Sequence, residues 1–256
     1  MSKISVTTIA GLTSGGDANK VKIESGDDLQ VVSGDLTVNT DTLFVDASAD
    51  TVGIGTASPT SALHVSGGAG TNVAIQSSAG THWRIGDGVG STNGNLVIYD
   101  YTDSRKVFEI DTLGRVTAPN QPSFMARNHG QVANNAAYVQ ATPLVCKTID
   151  HNVGSHYDSS NGRFTAPVAG RYMFGFSFGI CRTDNNETMH PYFVKNSTQI
   201  HYQYWAPSGL TNLHGPISFS ACINLAASDY LSVTVGGTGD WYAGLQETMM
   251  WGYLIG

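Results

Sequence analysis

The chain has 256 residues, 41% of them hydrophobic and only 13% charged, with 30 glycines and a net charge of −7. About a quarter of an ordinary soluble domain is charged, so this surface is poor in ionic groups. The densest basic step is Arg105-Lys106, which is not the basic stripe that a nucleic-acid or anionic-membrane partner needs, and no apolar run of about 18 residues offers a membrane span.

Met1 to Ala10 lacks a charged region followed by an apolar core. It does not read as a signal peptide, and synthesis in a cytoplasm is expected. Residues 1–35 are rich in small residues, including Gly11, Gly15, Gly16 and Ala18. They read as an attachment segment that can stay flexible until docked.

From Leu29 to residue 120 the chain is a series of short apolar–x–apolar steps. Leu29-Gln30-Val31-Val32, Leu36-Thr37-Val38, Leu43-Phe44-Val45, Val52-Gly53-Ile54-Gly55 and Leu63-His64-Val65 are separated by Gly, Asn, Asp and Ser58-Pro59. The period is 2, so these are strands. Residues 1–120 hold five of the 24 aromatics (Phe44, Trp83, Tyr99, Tyr101 and Phe108) and 13 of the 20 acidic residues. So few large side chains cannot fill a wide core over that length, and strands this short are unstable alone. Three copies wound about one axis would share a thin core. No heptads and no Gly-X-Y run offer a coiled coil or collagen instead.

Leu43-Phe44-Val45-Asp46, Val52-Gly53-Ile54-Gly55-Thr56, Ser58-Pro59 and Leu63-His64-Val65 come one after another in an order that resembles a segment common in bacteriophage tail fibres and related surface proteins. Residues 28–66 resemble such a fibre segment. The stretch from Trp83-Arg84-Ile85-Gly86 through Leu96–Asp100 to Leu113-Gly114-Arg115-Val116 resembles the next segment of those fibres, the Gly-Arg-Val ending closing a shaft segment. Gly53-Ile54-Gly55 and Gly86-Asp87-Gly88-Val89-Gly90 lack the succeeding helix of a dinucleotide loop, so they read as turns.

Residues 121–256 carry the other nineteen aromatics. Within Arg171–Cys181, Tyr172, Phe174, Phe176, Phe178 and Ile180 alternate with Met173, Gly175, Ser177 and Gly179, which predicts a strand with one face in a sandwich core. Further strands are predicted at Tyr138–Thr148, Tyr192–Lys195, Gln199–Trp205, Ile217–Leu225, Tyr230–Gly236 and Met249–Ile255. That many strands with turns between them read as a sandwich or jelly roll.

Asn152 to Asp158, then Asn161-Gly162-Arg163-Phe164-Thr165-Ala166-Pro167-Val168-Ala169-Gly170-Arg171-Tyr172, is similar to the globular heads of the complement C1q and tumour necrosis factor superfamily. Phe124, Asp229-Tyr230-Leu231-Ser232-Val233 (with Ser228 where the family has Gly) and Trp251-Gly252-Tyr253-Leu254 agree with the same pattern. Gly162 and Gly170 are expected to allow tight turns, and Phe164 and Tyr172 to enter the core. The resemblance implies a trimer.

Cys146, Cys181 and Cys222 have neither disulfide nor zinc spacing and read as buried thiols. The eight histidines are dispersed, with none at HxH or HxxxH spacing, and no carboxylate pair stands out for glycoside hydrolysis. No metal, cofactor or catalytic residue is expected. The binding candidates are aromatic: Tyr202, Tyr204 and Trp205 in the stretch His201–Gly209, and Trp241 and Tyr242 after Asp240. Aromatic rings beside polar residues suit saccharide stacking; packing in a core or trimer interface is the other use of the same rings.

The expectation is an all-β protein. Residues 1–35 would attach to a virion and 36–120 form an intertwined trimeric shaft of β-prism or β-helix type. Residues 121–256 would form a C1q/TNF-like jelly-roll head. The resemblances imply a non-enzymatic, homotrimeric phage fibre in the virion. Its N-terminus would contact other virion proteins and its head a host-surface glycan or protein, with no nucleic acid and no membrane insertion. A purely structural capsid fibre or decoration protein is one alternative, and a secreted C1q-like binding protein is the other.

Overall fold

The computed structural model describes residues 36–38, 42–78, 80–90, 94–129, 143–183, 188–203, 213–237, 240–242 and 248–256. The chain divides into two compact units, Met1–Asp103 and Ser104–Gly256. Both are built of strands, and no helix among the described residues is long and apolar enough to cross a membrane.

In the first unit, strands β1 (Leu36–Val38), β2 (Leu43–Asp46), β3 (Thr51–Ile54) and β4 (Leu63–Val65) form one sheet in that order. The first three are antiparallel, and β4 joins β3 in parallel. The β2–β3 turn is shaped by Asp46, whose carboxylate accepts hydrogen bonds from the Ser48 and Ala49 amides at 2.9 and 3.1 Å. This is the local side-chain bonding that makes Asp a turn residue. Gly53 lies inside β3, whereas Gly55 turns the chain at φ +75°, with the Ser66 carbonyl too close for any side chain there. The Gly-x-Gly step is therefore half strand and half turn.

Strands β5 (Asn72–Ile75), β6 (Trp83–Asp87) and β7 (Leu96–Asp100) form an antiparallel meander. Directly opposed residues share a face. One face carries the row Val73–Ile85–Ile98 and the pair Ile75–Trp83; the other carries Ala74–Arg84–Tyr99 and Gly86–Val97. Val97 is fully buried, but on the opposite face Ile75 is 56% exposed and Val73 48%.

The second unit begins with a hairpin of β8 (Arg105–Ile110) and β9 (Val116–Thr117). Asp111 closes it, its carboxylate accepting from the Leu113 and Arg115 amides and from Arg115 Nε at 2.6 Å. Hydrogen bonds from the Arg115 amide and guanidinium hold that carboxyl below the ordinary carboxylate range. The Leu-Gly-Arg-Val step is thus a hairpin turn.

The remaining strands are β10 (Ser123–His129), β11 (Cys146–Val153), β12 (Tyr157–Asp158), β13 (Arg163–Thr165), β14 (Gly170–Thr183), β15 (Met189–Lys195), β16 (Thr198–Tyr202), β17 (Leu213–Leu225), β18 (Tyr230–Gly237), β19 (Asp240–Tyr242) and β20 (Met249–Leu254). One sheet runs β11-β10-β20-β14-β17, with β19 also on β14; the other runs β12-β13-β18-β15-β16. The chain crosses from one sheet to the other after β11, β13, β14, β16, β17 and β18, as a jelly roll requires. The strand predicted at Tyr138–Thr148 begins, within the described residues, only at Cys146.

The alternation in β14 lands as expected. Tyr172, Phe174 and Phe176 are buried between the sheets, where Phe124, Phe164, Phe193, Leu231, Val233 and Met250 meet them. The rings pack edge to face, Phe164 to Phe174 at 5.3 Å and Phe176 to Phe193 at 5.7 Å between centroids, a geometry aromatic quadrupoles favour. The side chains of Phe178 and Ile180 lie outside the described residues.

Two glycines make room for rings on opposite faces. Gly252 lies opposite Phe174 on the core side, where a Cβ would come within 2.3 Å of the Phe174 ring. Gly175 lies opposite Trp251 on the outer side, where a Cβ would be 2.2 Å from the indole. Gly162 has φ +72° and serves the predicted tight turn. Gly170 does not: it starts β14 in an extended conformation, and the Leu254 side chain occupies the space a Cβ would need.

The expectation of buried thiols holds for Cys146, which is fully buried, its thiol pushed up to about 12 by desolvation. It fails for Cys222, which is exposed. In β17 the core positions belong to Ile223 and Leu225, so the residue between Ala221 and Ile223 points outward whatever its polarity. The side chain of Cys181 lies outside the described residues.

Candidate interaction surfaces

The outer face of the sheet containing β14 is read from its register. Three rows cross β10, β20, β14 and β17: Ser123–Tyr253–Met173–Cys222, Met125–Trp251–Gly175–Ser220 and Arg127–Met249–Ser177–Ser218. The single charge in these rows is Arg127, bound by its Nε to Asp150 on β11 at 2.9 Å. Trp251 and Tyr253 stack with centroids 6.2 Å apart and planes 15° from parallel, and Tyr253 is 47% exposed. Met, Trp, Tyr, Ser and Gly fill the middle of this face, with Arg127 paired to Asp150 in one row and exposed Arg171 opposite Asn224 beyond the Met173 row; a middle of that composition suits an interface core. The motif Trp251-Gly252-Tyr253 is plain in the sequence. That Gly252 looks inward and Trp251 and Tyr253 outward needs the register.

The second surface is one end of the sandwich. Thr183 pairs with Leu213, Arg182 with Asp240, and Met189 with Gly237, so these strand termini mark one end of their sheets. Of the five predicted binding residues, Tyr202, Trp241 and Tyr242 are described. Tyr202 ends β16 opposite Tyr192 and is 65% exposed. Trp241 and Tyr242 lie on β19, opposite Cys181 and Ile180. Tyr204 and Trp205 lie outside the described residues. Topology therefore gathers Tyr202 and β19 toward one end, without a described contact between them.

The opposite end is tied down. Asp229 accepts from the Ala226 amide at 2.8 Å and from Asn196 Nδ2 at 2.6 Å, and pairs with Lys195 at 2.9 Å. Asn196, then Lys195 and the Ala226 amide, hold its carboxyl down to about 2. Ser228, where the resemblance had glycine, sits at φ +71°. A tyrosine bracket stands nearer the middle: the Tyr157 hydroxyl accepts from the Cys146 amide at 2.9 Å and donates to the Cys146 carbonyl at 3.2 Å. Burial pushes that phenol up. These groups serve stability, and no cluster of three His, Cys, Asp or Glu able to hold a metal occurs among the described residues.

The two sheets form a jelly roll whose outer face carries Trp251 and Tyr253. The C1q domain model matches residues 124–255, just over half of the chain, and the chain belongs to the C1q domain family. Among solved structures it is similar to the globular domain of zebrafish complement 1qA protein, at 15% identity and TM-score 0.40, covering 53% of this chain and 98% of that one. It is also similar to the Eiger TNF of S. frugiperda, at 11% identity and TM-score 0.42, covering 53% and 94%. No curated protein matches the chain. C1q/TNF-like domains typically form trimers, which is consistent with a homotrimer here.

Proposed function

We propose that this protein is a non-catalytic homotrimeric fibre of a phage virion. Residues 36–120 form its intertwined shaft, residues 1–35 dock on other virion proteins, and the C1q-like head meets a host-surface glycan or protein. The observation that carries the trimer is the outer row Met125–Trp251–Gly175–Ser220 with its stacked Tyr253. Large apolar groups on a flat, charge-poor face are stabilised by covering them with another copy. The first unit supports a shared core independently. Ile54, Leu63, Val73, Ile75, Ile85 and Leu96 are each at least 38% exposed in the single chain.

The C1q match supports a complement-like binding protein outside a virion as well as it supports a fibre. What favours the fibre is the run from Leu43 to Val65, whose order of strands and turns resembles fibre shafts. Electron microscopy of intact particles, with antibody against residues 121–256, tests the location; absence of label from virions overturns it. A native mass of about 81 kDa, three times 27.1 kDa, is expected, and a monomer overturns the assembly. A glycan array with Trp205→Ala and Trp241→Ala controls tests the head. Absence of binding by the unaltered protein leaves the structural-fibre alternative.

A further inference from the structure

Arg84 is the sole lysine or arginine between residues 36 and 103, a stretch that holds Asp41, Asp46, Asp50, Asp87, Asp100 and Asp103. Among the described residues it pairs with none of them. Its guanidinium carbon instead lies 3.6 Å from the centre of the Tyr101 ring. Nε is buried without a hydrogen-bond partner, while the residue as a whole is half-buried, so the terminal nitrogens reach solvent.

The surroundings are aromatic and fixed. The His82 ring lies 4.9 Å from that of Tyr101, and the Tyr99 ring 6.5 Å. The Tyr101 amide donates to the His82 carbonyl at 2.8 Å, and the His82 amide donates to Thr102 Oγ1 at 2.9 Å. These bonds tie the two segments together, and 48% of Tyr101 remains exposed. A guanidinium held over a ring, with one donor already dehydrated, loses little further freedom on gaining a planar acceptor.

A second copy of the chain is the poorer occupant. The exposed Val73, Ile75 and Ile85, which need covering, lie on the opposite face of the meander from Arg84 and Tyr99. A dense polyanion is also poorly suited, because residues 36–103 hold six aspartates against one arginine. A single carboxylate on a body with an apolar C–H face fits both the fork and the ring.

We propose that Arg84, Tyr101 and His82 form a binding site for an acidic saccharide. The terminal nitrogens of Arg84 take the carboxylate of one uronic-acid unit, and the exposed part of Tyr101 takes the sugar ring. The site lies outside the head and does not depend on the head's receptor role.

The test uses the full chain titrated by NMR with a disaccharide carrying one uronate, and with its carboxyl-reduced neutral counterpart. The acidic sugar is expected to bind and the neutral one to bind at least ~10-fold more weakly, the usual worth of a charged hydrogen bond. Arg84→Gln should lose about 10-fold or more, Tyr101→Ala should lose several-fold, and Arg84→Lys, which keeps charge without the fork, should fall between wild type and Arg84→Gln. Equal binding of the two sugars, no binding of either, or unchanged binding by Arg84→Gln overturns the proposal. A change of native mass in Arg84→Lys also overturns it, by making Arg84 a contact between copies.

Discussion

The two units solve the same problem in opposite ways. Both are made of alternating strands, but in the sandwich the apolar face of a strand meets a second sheet of the same chain. Tyr172 and Phe174 on β14 are fully buried, whereas Ile75 on β5 is 56% exposed and Leu63 on β4 58%. The difference comes from side-chain size and strand length. Nineteen aromatics give residues 121–256 the volume to fill a two-layer core, and β14 and β17 run to 14 and 13 residues. Strands of three to five residues bearing Val, Ile and Leu leave one face uncovered in β5 and β6. In the proposed assembly a unit of that kind would be covered by other copies, while the sandwich, whose core is closed within the chain, would need them only for its outer face.

The sharpest way to break the comparison is in the sandwich core. Phe174→Ala removes a ring packed against Phe124, Phe164 and Phe193, and a loss of roughly 3–5 kcal/mol is expected in urea unfolding monitored by aromatic fluorescence. Ile75→Ala should cost far less if the chain stays single. A cost comparable to a buried aliphatic, about 2–5 kcal/mol, would be the sign of a shared core.

Trp251→Lys tests the outer face. It places a charge in the middle of the Met125–Trp251–Gly175 row while leaving the core positions Met250 and Gly252 intact. The contacts between heads should be lost, with an unchanged β spectrum and, if the shaft holds the copies together, an unchanged native mass. Cys222 lies in the next rows of the same face. Peptide-mapped thiol labelling should find it protected in the assembly and reactive in Trp251→Lys, with Cys146 unreactive in both. Labelling of Cys222 in the unaltered protein would place this face in solvent.

Smaller effects are expected at the tied-down end. Ser228→Gly relieves a left-handed backbone at φ +71°, and a gain of about 1 kcal/mol should appear in thermal unfolding. Asp229 has its carboxyl lowered from 3.8 to about 2. The stability it contributes is therefore fully present above its unfolded value near 3.8 and disappears as pH falls through about 2. Asp229→Asn should flatten that part of the acid-unfolding curve, and an unchanged curve would dismiss the carboxylate's role.

Much of the head is legible without the fold. Alternation from Tyr172 to Phe176 places one face in a core, and Asn161-Gly162 places a turn. The strands at Tyr230–Gly236 and Met249–Ile255 lie within a residue of β18 and β20. In the first unit Leu43–Val45 and Leu63–Val65 are equally plain. Side-chain chemistry alone does not reveal the outer face, because Met173, Gly175 and Trp251 look like any other apolar residues until their strands are paired. Nor does it reveal Arg84, whose significance lies in stacking on Tyr101 rather than pairing with one of the many aspartates around it in sequence. Cys222 shows the same limit from the other side: a residue of buried type is carried outward by the period of its strand.

Strand type and periodicity are local properties, set by φ/ψ preference and by the two-residue repeat of the pleat, so they can be read along the chain. Register is a long-range property. Phe174 meets Gly252 and Gly175 meets Trp251 across more than seventy residues. Only that pairing determines which apolar face becomes core and which is left for a partner, since a slip of one residue would exchange them.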